Sequence, residues 1–154
     1  MNENIAIKKT SDYDAVAAIH DALYAYNLAK TGNSRVEVHA ERFAEQFALV
    51  AVDDGGTAHG GLVYHWENGP RHVFVDYFYL DDALRGTGWG RRIFEAVLKE
   101  AEAGGAAEVR LTTNTFQAPG FYLKMGFGIT GAKPEPAPLC PENIHYTLSR
   151  KLGI

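Results

Sequence analysis

A chain of 154 residues has the length of one ordinary domain, expected here over residues 1–154, and its 46% apolar and 22% charged residues exclude a disordered polymer. The formal net charge of −4 argues against a nucleic-acid binder that works by neutralising phosphates, and a single cysteine, Cys140, excludes an intrachain disulfide or a cysteine-built metal cluster. No run approaches the roughly 18 apolar residues of a membrane span, and Met1-Asn2-Glu3-Asn4 lacks the basic start of a secretory signal, so a cytoplasmic protein away from membranes is expected.

Residues 5–9 alternate apolar and polar side chains and predict a first strand. Ser11 is a candidate N-cap for the helix that follows, in which Val16, Ile19, Leu23 and Tyr26 share one face and Gly32 supplies the stop. A second helix is expected around residues 38–46, with Val38, Arg42 and Phe43 near one face. Residues 47–52 form a continuous apolar run suited to a strand buried on both faces. Residues 59–67 predict the next strand, with Leu62, Tyr64 and Trp66 on one face, and Asn68-Gly69 predicts a hairpin into a partner strand over residues 71–80.

A glycine-rich stretch comes next, Arg85-Gly86-Thr87-Gly88-Trp89-Gly90-Arg91, and it leads into an apolar stripe of Ile93, Phe94, Val97, Leu98 and Ala101 at helical spacing. Glu95 and Lys99 are placed to pair at i and i+4 on the opposite side, and Gly104-Gly105 ends the helix. Further strands are expected over residues 107–113, 127–132 and 144–150, with a short helix over residues 119–125. The proline-rich segment 134–141 reads as a loop outside any ladder.

A strand that enters a helix through glycines aims unpaired N–H groups and the positive end of the helix dipole at one point, which suits a phosphate or pyrophosphate. A P-loop needs Lys followed by Ser or Thr after its last glycine, where this chain has Arg91-Arg92. The dinucleotide fingerprint starting at Gly86 needs a third glycine where Arg91 stands. The pattern R-x-x-G-x-G is met by Arg85, Gly88 and Gly90.

With this loop, Phe78-Tyr79-Leu80 before it, and the segment Ala118-Pro119-Gly120-Phe121-Tyr122-Leu123-Lys124-Met125-Gly126-Phe127 after it, the sequence resembles the GNAT superfamily of acyl-CoA-dependent N-acyltransferases. Phe116-Gln117-Ala118-Pro119 further resembles a bacterial subgroup of that superfamily. The resemblance covers nearly the whole chain. It implies an α+β fold: a mixed, mostly antiparallel seven-stranded sheet with about four helices, splayed between strands 4 and 5, with acyl-CoA in the gap.

By the same resemblance, backbone groups at Leu80 pair with the pantetheine arm, and the N–H groups of Arg85, Gly86, Thr87, Gly88, Trp89 and Gly90 hold the pyrophosphate. Arg91 adds charge to the phosphates or is a solvated helix residue. Trp89 packs over the loop or the adenine. Thr115 stands where many members carry an asparagine that contacts the coenzyme, with Asn114 one residue out of register. Tyr122 matches the tyrosine that protonates the leaving thiolate, against the alternative of an aromatic core residue. Asp76 interrupts an apolar strand two period-2 steps before Leu80; it is either the base that receives the amine proton or a structural carboxylate paired with Arg71 or His72.

The expected activity is acetyl transfer from acetyl-CoA to a primary amine of a small molecule or an exposed protein amine by direct attack in a ternary complex. The alternative is an acyl-CoA sensor without turnover. Consistent with direct attack, the G-x-S-x-G elbow of acyl-enzyme chemistry is absent. None of the six histidines shows metal-ligand spacing, so no metal is expected. Tyr24, Tyr26 and Asn27 end the first helix, which borders the acceptor side in this fold, and a homodimer is a family expectation.

Overall fold

The computed structural model describes residues 4–32, 45–69, 71–117 and 119–153. The apolar runs become seven strands: β1 (Ala6–Thr10), β2 (Phe47–Val52), β3 (Ala58–Glu67), β4 (His72–Leu80), β5 (Glu108–Asn114), β6 (Gly128–Pro134) and β7 (Ile144–Lys151). They form one sheet in the order β1-β2-β3-β4-β5-β7-β6, antiparallel except for the β4–β5 pair. This is the expected mixed architecture. Its helices among the described residues are α1 (Tyr13–Thr31), α2 (Trp89–Ala103) and α3 (Gly120–Lys124), with a 3-10 turn at Thr115–Gln117. The helix expected around residues 38–46 falls almost wholly outside the described residues.

The sheet is covered on both faces, which is why β2 is apolar on both sides. On one face α2 buries its whole predicted stripe of Ile93, Phe94, Val97, Leu98 and Ala101 against Leu49, Leu62, Tyr64, Val73 and Val109. Burial of side chains this size contributes about 1.5–3 kcal/mol each, so this helix is held mainly by packing. On the other face Val16 and Ile19 of α1 meet Ala48, Val50, Val63 and Tyr77. No helix among the described residues is long and apolar enough to cross a membrane.

Several local expectations are corrected. Asp12, not Ser11, is the N-cap of α1, while Gly32 ends the helix with φ 67° as predicted. The hairpin at Asn68 and Gly69 forms as expected, with both residues at positive φ and β3 and β4 pairing from Glu67 and His72. Glu95 pairs with Arg91 (3.3 Å), one turn before it, and not with the expected Lys99 one turn after it. Pro134 is not outside the ladder: it ends β6 opposite Ile144. β6 is an edge strand, where a missing N–H is tolerated.

Candidate active site

The two central parallel strands touch only at their beginnings. β4 and β5 pair at His72 with Glu108, Val73 with Val109 and Phe74 with Arg110, and at no later position. The closed end is tied by charge. Glu108 accepts from Arg110 Nη2 (2.6 Å) and Nε (3.0 Å), lies 3.1 Å from His72 Nε2, and accepts the Ser149 hydroxyl. The Arg110 and Ser149 hydrogen bonds hold its carboxyl down to about 2.

Beyond Phe74, β4 stays with β3 as far as Leu80, and β5 stays with β7 as far as Asn114. The inner edge of β4 is therefore left without a strand partner, and its N–H and C=O groups are available to a ligand. The space between the strands is a cavity of about 670 Å³, within the range of small-molecule sites.

A β-bulge shapes the wall of this cavity. Tyr64 lies opposite Val75 and Val63 opposite Tyr77, so Asp76 is the extra residue. The bulge breaks the period-2 alternation. Leu80 packs with the α2-side core, whereas Asp76 joins Tyr77 on the α1 side. Its structural partners are also not those expected: Asp76 Oδ2 accepts from Gln46 Nε2 (3.1 Å) and lies 2.8 Å from His65 Nδ1. Arg71 and His72 are not among them. Burial raises the Asp76 carboxyl above its ordinary value, against the opposing pull of His65 and Gln46.

The loop after β4 is ordered by its own first residue. The Asp81 carbonyl accepts from Leu84 N and Arg85 N, and Oδ1 accepts from Ala83 N. Oδ2 lies 2.8 Å from His59 Nδ1, and His59 Nε2 in turn lies 2.9 Å from Asp53 Oδ2. Gly86 and Gly88 have φ 75° and 90°, a region that disfavours side chains, although a Cβ at either would meet nothing within 4 Å. Gly90 differs, since a Cβ there would lie 3.3 Å from Phe121 and 3.4 Å from Phe78, close enough that the rings would have to shift. The first helical hydrogen bond after the loop runs from Arg92 N to Gly88 O, so the N–H groups of Gly88, Trp89, Gly90 and Arg91 project from the start of α2, whereas those of Arg85 and Thr87, expected to face a pyrophosphate, are bonded to Asp81 O and Leu84 O.

Of the expected site residues, Asp76, Leu80, Arg85, Gly86, Gly88, Gly90, Arg91 and Tyr122 line the cavity together, whereas Thr87, Trp89 and Thr115 do not. The Thr87 hydroxyl donates to the Leu84 carbonyl. Trp89 packs against the core and carries the Arg92 guanidinium 4.6 Å from its ring. Thr115 Oγ1 exchanges hydrogen bonds with the backbone of Ile144, which ties the 3-10 turn to β7.

The Arg85 side chain folds back. Its Nε donates to Leu80 O (2.8 Å), and its guanidinium lies 4.8 Å and 5.2 Å from the rings of Tyr26 and Tyr79. One lone pair of the Leu80 carbonyl is thus already used.

Tyr122 is 8% exposed among Phe94, Phe121 and Phe127. No described residue hydrogen-bonds its hydroxyl, and burial alone pushes its ionisation well upward, so the phenol keeps its proton. Among the described residues no group of three or more His, Cys, Asp or Glu side chains could hold a metal ion.

Gln117 is a wall residue whose role the sequence did not reveal. Its carbonyl accepts from Thr113 Oγ1 (3.3 Å) and Asn114 Nδ2 (3.1 Å), and its amide donates to Asn27 Oδ1 (2.9 Å). It thereby joins the end of α1 to the end of β5. The only signal was its place in the Phe-Gln-Ala-Pro segment.

Residues 15–127 match the sequence model of the Acetyltransferase (GNAT) family. The chain belongs to this family. Among curated GNAT relatives, the blasticidin-S acetyltransferase of Streptomyces morookaense is 33% identical over 107 residues, covering 68% of this chain and 76% of its own. An acetyltransferase of Agrobacterium fabrum is 27% identical over 129 residues, 84% and 87% of the two chains. Among solved structures, an acetyltransferase from Bacillus cereus aligns with TM-score 0.62 at 22% identity over 93% of this chain and 95% of that one. Nourseothricin acetyltransferase aligns with TM-score 0.60 at 21% identity, covering 73% and 71%. A Bacillus anthracis structure solved in complex with acetyl coenzyme A aligns with TM-score 0.58 at 18% identity, covering 74% and 65%. Likenesses at these identities establish the GNAT fold.

Proposed function

We propose that the protein transfers acetyl from acetyl-CoA to a primary amine of a small molecule. One observation carries this reading: one cavity between the splayed β4 and β5 is lined by the open start of α2, by Tyr122, whose hydroxyl has no hydrogen-bond partner among the described residues, and by the buried Asp76. A GNAT relative solved with acetyl coenzyme A supports the donor. Relatives named for blasticidin S and nourseothricin favour a small-molecule acceptor over a protein amine.

In this reading the pyrophosphate lies on the backbone N–H groups of Gly86, Gly88, Trp89 and Gly90, and the thioester carbonyl meets the free edge of β4. An unperturbed alkyl amine is only ~0.04% neutral at pH 7, so it must lose a proton before it attacks. Asp76 takes that proton, and its raised affinity for protons suits it to the task. The neutral nitrogen attacks, and N–H groups of the unpaired β4 edge stabilise the tetrahedral oxyanion. As the C–S bond breaks, Tyr122 gives its proton to sulfur and regains one from the nitrogen. The balance is one acetyl-CoA and one ammonium consumed, with one amide, one free thiol and one proton released. A pure sensor would have no use for a phenol with no hydrogen-bond partner among the described residues and a buried carboxyl on one cavity.

The test is incubation with acetyl-CoA and a panel of blasticidin S, nourseothricin, polyamines, aminoglycosides and lysine peptides while free thiol is monitored. Acceptor-dependent release with at least one small amine is expected. None across the panel would overturn the assignment.

A further inference from the structure

The reaction above releases one proton into a cavity that its two substrates fill, and that proton needs an exit. A hydrogen-bonded line leads from the cavity wall to solvent. Asp76, 7% exposed at its side chain, lies 2.8 Å from Nδ1 of His65, which is 3% exposed. Nε2 of the same ring lies 3.0 Å from Oε2 of Glu67, whose side chain is 38% exposed at the end of β3. Carboxylates only accept hydrogen bonds, so a ring with an oxygen at each nitrogen is satisfied on both sides only as an imidazolium. Burial of His65 opposes that charge, but Asp76 and Glu67 together outweigh it and raise its proton affinity.

The oxygens of Asp76 are divided in a way that fits a relay. Oδ2 takes both His65 and Gln46, and no described residue hydrogen-bonds Oδ1, on a residue that lines the cavity. Alternation from Val73 and Val75 puts the carboxyl on the same side of the sheet as His65, and the β-bulge at Asp76 then turns Leu80 to the opposite side.

We infer that Asp76, His65 and Glu67 form a proton exit, in which His65 and Glu67 act as positioning and relay residues behind the base. The amine proton bonds to Asp76 Oδ1. His65 releases its Nε2 proton to Glu67 and becomes neutral, and Glu67 passes that proton to water. The triad starts at net −1 and ends at net −1, with Asp76 protonated and His65 neutral. After product leaves, Asp76 gives its proton to water in the emptied cavity and His65 takes one back at Nε2 from water through Glu67, which restores the first state with one proton released per turnover. This inference rests on the assignment of Asp76 as base.

Two measurements test it on the full chain. In ¹⁵N-histidine-labelled protein at pH 7, long-range correlation spectra are expected to show both ring nitrogens of His65 protonated; a bare ring nitrogen would overturn the relay whatever the acceptor is. With the panel amine of highest turnover, Glu67→Gln is expected to lower kcat by roughly tenfold, a modest general-base effect, with KM for acetyl-CoA unchanged. Part of the loss should return in a high concentration of a tertiary-amine buffer, which can take the proton at the solvent-facing end but cannot be acetylated. A packing role for Glu67 would not be rescued in this way. Wild-type kcat in Glu67→Gln, or a loss that buffer does not repair, would overturn the relay. Asp76→Asn separates the two ideas. An inactive Asp76→Asn beside a fully active Glu67→Gln leaves the base in place and removes only the exit, whereas a fully active Asp76→Asn removes both.

Discussion

Tyr122→Phe separates catalysis from packing unusually well, because the hydroxyl it deletes has no hydrogen-bond partner among the described residues. The ring sits in a cluster with centroid distances of 5.4 Å to Phe94, 5.3 Å to Phe121 and 6.2 Å to Phe127, and phenylalanine keeps all of these contacts. No hydrogen bond is lost, and a poorly solvated hydroxyl is removed, so stability should change by less than about 1 kcal/mol. In a chain of this length that is a Tm shift of roughly 2–4 °C at most, upward if anything. The rate should respond very differently. Loss of the group that protonates the leaving sulfur removes a general-acid effect of about 10²–10⁴-fold, and even the lower bound of 10² is about 2.7 kcal/mol of barrier.

The assay pairs steady-state kinetics on a panel amine with calorimetric titration of acetyl-CoA and a thermal melt. The expected result is a kcat at least about 100-fold lower with donor affinity and Tm close to wild type. A wild-type kcat would refute the proton-donor role. Equal losses in kcat and donor affinity would mean that the residue only shapes the pocket.

Gly88→Asp should weaken acetyl-CoA binding far more than Gly88→Ala in calorimetry. Both carry the cost of φ 90°, but only the aspartate sets a negative charge where the pyrophosphate is placed, and equal affinities would refute the loop assignment. His59, held by Asp53 and Asp81, binds its proton more tightly when folded than its ordinary value of 6.5. Its contribution is therefore full below about pH 6.5 and fades as pH rises through the higher folded value. The Tm gap between wild type and His59→Asn should accordingly narrow on the alkaline side, and a gap that widens there would contradict the clamp. Glu108 has the opposite sign. Its folded value near 2 against 4.5 means that the Tm deficit of Glu108→Gln should be full above about pH 4.5 and close as pH falls toward 2.

Much of the site was legible from local signals. The α2 stripe, the glycine loop and the order of strands are patterns of neighbouring residues, and each element formed close to where its periodicity placed it. Three site residues were less legible, because their surroundings come from distant segments. The hydroxyl of Thr115 goes to Ile144, 29 positions away. Gln117 reaches Asn27 across 90 positions. The partner of Asp76 is His65 on the next strand, which no spacing rule connects to it once the ladder slips by one residue.

By itself, then, the sequence determined the elements of the proposed donor side. A phosphate cradle is a backbone device, so glycines and the helix behind them disclose it wherever the rest of the chain lies. The division of labour around the amine was decided by tertiary structure. A one-residue bulge put Asp76 and Leu80 on opposite sides of the sheet, and only the pairing of β3 with β4 brought His65 and Glu67 into line behind Asp76. Register shifts depend on the balance of packing across two faces of a sheet, and no local pattern of residues records that balance.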